Sequence, residues 1–99
     1  MFKHLVLWKF SPEIPREEWG GLVEKLNRQF GDMVGQVPGL LKAETGLNLA
    51  PDGDHHMVLY TEFVSREAME AYQTHPLHLA VKEKMKDAVA GREVLDYWI

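Results

Sequence analysis

The nine residues "FKHLVLWKF" (2–10) constrain this chain more than any other stretch. Their ends alternate polar and apolar, but Leu5, Val6, Leu7 and Trp8 form an unbroken apolar centre. A strand with apolar groups on both faces must be covered on both, so this one reads as a central strand. The rest of the 99 residues must flank it on either edge and cover it above and below. A chain of that length makes one domain, 1–99, because neither half alone could build a core.

The other segments meet that demand. "SPEIP" is a turn, and Pro15 suits the first turn of a helix, where its missing N–H costs nothing. Apolar residues then recur at Trp19, Leu22, Val23, Leu26, Phe30, Met33, Val34 and Val37. These steps predict an amphipathic helix of about five turns, ended by "VPGL". "LLKAETGLNL" (40–49) reads as an edge strand, "APDGD" as a turn, and "HHMVLYTEF" (55–63) as the second arm of a hairpin. Ser65 is placed to cap a short helix, "REAMEAYQ". Pro76 breaks that helix and opens another with the stripe Leu77, Val81, Met85 and Val89. Gly91 is its expected C-cap, which leaves "REVLDYWI" as the last strand.

The order is β-α-β-β-α-β, with the second helix in two pieces. Short connections and layer packing then give an α+β fold, one four-stranded antiparallel sheet with helices on one face and strands one and three central. The other sheet face stays bare. Trp8 and Trp98 are expected among the apolar groups on it, a patch larger than monomers expose. A homodimer is predicted to cover it.

Composition narrows the partners. The net charge is −4 and no Lys/Arg stripe forms, which argues against nucleic acid. Apolar runs are too short to span a membrane and the N-terminus lacks a signal-peptide cleavage region, so a cytoplasmic protein is expected. The absence of cysteine excludes disulfides and thiolate chemistry. "DGDHH" gathers Asp52, Asp54, His55 and His56, yet adjacent strand residues face opposite ways and cannot share an ion. It reads as a polar hairpin tip, and neither metal nor cofactor is expected. "KEKMKD" (82–87) reads as the solvated face of the last helix.

The chemistry concentrates in "AYQTHPLHLAV" (71–81). Residues before proline avoid the α region, so His75 should cap the helix that opens at Pro76. His78 then lies at the third helical position, where the positive end of the dipole keeps the imidazole neutral and able to act as a base. Tyr72, in the preceding turn, could orient His78 or donate to an oxygen on which charge develops. The same residues admit a packing reading, in which His75 caps, Tyr72 packs on Met69 and His78 bonds a carbonyl. His4 is a polar group among Phe2, Val6 and Trp8, and if buried it needs a partner.

"KHLVLWKF", "HPLH" and the closing "DYW" together resemble the stress-responsive dimeric α/β-barrel (Dabb) family, over essentially the whole chain. The resemblance implies a ferredoxin-like protomer whose sheet packs against that of a second copy. Among such proteins, plant polyketide cyclases such as olivetolic acid cyclase close a linear chain by aldol condensation with a Tyr–His pair. Tyr72 and His78 match that pair, and His4 matches a pocket histidine. The sequence departs where a third-strand histidine is replaced by Met57, with His56 one residue out of register and facing the other way. A hydroxyl-bearing aromatic is replaced by Phe30, so His4, Phe30 and Met57 would form altered ligand contacts.

Three functions compete. The first is a small cofactor-free enzyme on an apolar carbonyl compound, with His78 as base and Tyr72 stabilising the oxyanion. The second is a non-catalytic stress-response or ligand-binding barrel. The third is a haem or monooxygenase-type dimeric barrel, with His75 or His78 as axial ligand.

Overall fold

A computed structural model describes residues 1–99. The elements are β1 (Phe2–Phe10), α1 (Arg16–Gly31), β2 (Leu40–Leu47), β3 (Met57–Phe63), α2 (Arg66–Gln73), α3 (Pro76–Met85) and β4 (Val89–Trp98). The sheet order is β2-β3-β1-β4, antiparallel throughout, so β1 and β3 are central as their apolar centres require. This is a ferredoxin-like fold.

Helix boundaries depart from periodicity. Pro15 is the N-cap rather than the first helical residue, and α1 stops at Gly31 with Asp32 as C-cap. Met33 and Val37 continue the apolar rhythm, and both are buried, but from a chain of turns. Burial demands an apolar residue at the right place, not a helix to carry it. The chain re-enters the sheet at Gly39, whose φ is +80°, and a Cβ there would lie 2.6 Å from the Ala68 Cβ. Only glycine fits both constraints.

Ser65 caps α2 by accepting from the Ala68 N–H at 3.1 Å. The following helix ends at Met85, six residues before Gly91, which is therefore no C-cap. Instead Gly91 is the extra residue of a β-bulge: Trp8 pairs with Arg92 and Lys9 with Ala90, and Gly91, with φ +64°, falls between. A left-handed residue in a bulge favours glycine for the same steric reason as a helix terminus does, so the two are alike in sequence.

Alternation divides the sheet. Phe2, Val6, Phe10, Met57, Leu59 and Phe63 face the helices and form the core with Val23, Leu26 and Phe30 of α1. Trp8 shares that face, and Trp98, opposite Phe2, does too, although no helix reaches it and it is 63% exposed. Both tryptophans are thus misassigned by a reading that puts them on the bare face. The face without helices carries Leu5, Leu7, Val58, Tyr60, Leu95 and Tyr97, with Lys3 bridging Glu62 at 4.0 Å. No helix is long and apolar enough to cross a membrane.

Candidate functional site

α3 begins where proline forces it to. His75 sits in extended backbone at the N-cap, and its Nδ1 accepts from the Leu77 N–H at 3.1 Å, with Pro76 next. The junction turns the chain so that His78 lies over Tyr72, with ring centroids 4.3 Å apart and planes tilted by 39°. Tyr72 in turn packs on Phe63 at 5.1 Å. Both rings line a cavity of about 530 Å³ between the helices and the β1–β4 side of the sheet.

His4, Phe30, Tyr72 and His78 all line this cavity. Met57 does not: it is buried in the core, 1% exposed, at the β3 position opposite Trp8. His56 is also absent from it, and it does not face away from the helices. β3 begins only at Met57, so strand alternation does not reach His56. Its ring stacks on Trp19 at 4.3 Å, and its Nδ1 accepts from the Phe10 N–H at 2.9 Å.

The partners of each ring fix where protons sit. His78 Nδ1 donates to the Gln73 carbonyl at 3.1 Å, which leaves Nε2 as the acceptor in the neutral ring. Burial pushes the His78 pKa below its ordinary value, and Lys82, His4 and Arg92 push the same way, against the Gln73 bond that raises it. Burial is the largest of these causes. The Tyr72 phenol is 1% exposed, its hydroxyl is buried without a hydrogen-bond partner, and burial pushes its pKa well above the ordinary value. An orphaned buried hydroxyl is destabilising unless something else uses it.

His4 is 2% exposed and has the partner its burial requires: Nδ1 meets Asp96 Oδ1 at 2.5 Å. The two residues are opposite each other on β1 and β4. Asp96 is the functional candidate that sequence reasoning missed. Only the strand register brings it to His4 across 92 positions, so no local spacing signals it. Lys82 and Lys86, read as solvated, do stand exposed but line the cavity. No group of three or more His, Cys, Asp or Glu gathers as a metal site.

A description of the stress responsive A/B barrel domain (Dabb) matches residues 2–99. The chain belongs to this family. A Dabb protein of Mesorhizobium loti with a ferredoxin-like fold shares 19% identity over 99% of this chain and 95% of that one, with a TM-score of 0.76. A dimeric protein of unknown function from Bacteroides fragilis is 28% identical over 99% of this chain and 95% of its own, with a TM-score of 0.87. The hydroxynitrile lyase of Passiflora edulis, 16% identical, covers 99% of this chain and 92% of that chain at a TM-score of 0.77, a likeness of fold alone. No curated protein matches at the sequence level.

Proposed function

We propose that the cavity takes a small apolar carbonyl compound and that His78 removes a proton from the carbon beside the carbonyl. The observation that carries this reading is the orphaned Tyr72 hydroxyl packed against a histidine whose Nε2 is free to accept. Nε2 takes the C–H proton, and the enolate oxygen that results accepts a hydrogen bond from Tyr72. The enolate carbon attacks a second carbonyl of the same compound, forming a C–C bond. The alkoxide produced takes the proton back from His78, so the cycle needs no cofactor. A base held neutral by burial is ready for this near neutral pH.

The first half of that cycle is measurable without knowing the natural substrate. 2-Acetylnaphthalene in D₂O should exchange its methyl protons faster with the protein than without it, and His78→Gln should return the rate to background. If the compound binds with no acceleration, the protein is a binding barrel and the catalytic reading falls.

The same reading makes the protein a homodimer through the helix-free face. Leu5, Leu7, Tyr60, Leu95 and Tyr97 present a continuous apolar surface there, and the Bacteroides relative is dimeric. Light scattering should give twice the chain mass of 11.4 kDa, and Leu95→Glu should reduce it to one.

A further inference from the structure

The cavity's lining is electrostatically one-sided. It includes Lys82, Lys86 and Arg92 and not a single carboxylate, in a chain where 15 acids outnumber 11 bases. Lys3, Arg28, Lys42 and Lys86 each bridge a glutamate, but Lys82 and Arg92 take part in no ion pair. Two free cations at one opening, in an acidic protein, call for an anion that the chain itself does not provide.

Their placement is built into the fold. Lys82 lies one turn beyond His78 on α3, so the two share a helix face. Across the gap, Arg92 pairs with Trp8, directly after the Gly91 bulge, and so faces the same side as the cavity. β4 is exposed from Ala90 onward, so the cavity opens here. Arg92 acts electrostatically on both Tyr72 and His78, and Lys82 acts on His78, so both cations stand within range of the chemistry.

We propose that the compound bound here carries a carboxylate at its outer end, received by Lys82 and Arg92 at the mouth, with its apolar, carbonyl-bearing body lodged inside against Phe30 and Leu59. This rests on the carbonyl reading of the Tyr72–His78 pair and adds the substrate's charge. The body supplies hydrophobic burial, while the carboxylate fixes which end enters. Guanidinium recognises a planar carboxylate with two parallel hydrogen bonds, and Lys82 adds a point charge.

Calorimetric titration with two matched probes tests it: 6-acetyl-2-naphthoate and its uncharged amide, 6-acetyl-2-naphthamide. The naphthoate should bind about tenfold more tightly at low salt, as charged hydrogen bonds allow. Since the chain's net charge of −4 repels anions overall, such a preference has to arise locally. Lys82→Gln with Arg92→Gln should shrink the gap to about twofold, the loss falling chiefly on the naphthoate, and should leave the fold intact, because both side chains are exposed and outside the core. Equal binding of the two probes, or a preference that survives the double variant, overturns the carboxylate while leaving the carbonyl site standing. If neither probe binds, the cavity is not a carbonyl site and both readings fail together.

Discussion

Two histidines of this protein stack on aromatic rings at the same centroid distance, 4.3 Å: His56 on Trp19 and His78 on Tyr72. Burial lowers the pKa of both, which favours the neutral ring in each. What separates them is the direction of the bond that each Nδ1 makes with the backbone. His56 accepts an N–H from Phe10, so its remaining ring nitrogen carries the proton and can only donate. His78 donates to a carbonyl and keeps a free acceptor. One arrangement joins strand to helix; the other leaves a base beside a cavity. A perturbed histidine is therefore not by itself a base, and the direction of a single hydrogen bond separates a ring with a free acceptor from one without.

The sharpest way to break that comparison is to remove each ring. His78→Gln should lower proton-exchange activity by about a hundredfold or more, the usual scale of a lost general base, with little change in stability. His56→Ala should do the reverse. It strands the Phe10 N–H and empties the stack on Trp19, destabilising the protein by about 2–3 kcal/mol in urea unfolding. A His56 variant that keeps stability and loses activity would abolish the distinction.

Smaller effects sharpen it. Tyr72→Phe deletes a buried hydroxyl without a partner, so stability should hold or rise by about 1 kcal/mol while activity falls. A stabilised but inactive variant is what a functional orphan predicts; destabilisation would mean that the hydroxyl has a structural partner. His75→Ala removes only a cap and should cost about 1 kcal/mol, with activity intact.

Acid offers the mildest test. The folded pKa values of His56 and His78 lie below the unfolded value of about 6.5, so the unfolded chain binds protons first. Their contribution to stability is complete above about pH 6.5 and declines as pH falls towards the folded values. Urea midpoints measured from pH 7.5 down to 5.0 should fall, and the fall should be shallower in His56→Gln.

Local sequence determined much of this protein. Element order, the central place of β1 and β3, the Ser65 cap and the His75–Pro76 junction all follow from period, proline and side-chain capping, which act over a few residues. Of the residues singled out by the family resemblance, Tyr72, His78, His4 and Phe30 line one cavity and Met57 does not. Tertiary structure decided the rest. Trp8 faces the helices because pairing with Met57 and Arg92 sets its side, and a continuous apolar run has no phase of its own. Gly91 serves a bulge because the ladder to β1 slips there, and His56 escapes strand alternation because its strand starts one residue later. Asp96 meets His4, and Arg92 meets the cavity, only through a register between strands at opposite ends of the chain. Such contacts depend on which strands pair and at what offset, a choice made by burial of the whole sheet rather than by any residue's neighbours in sequence.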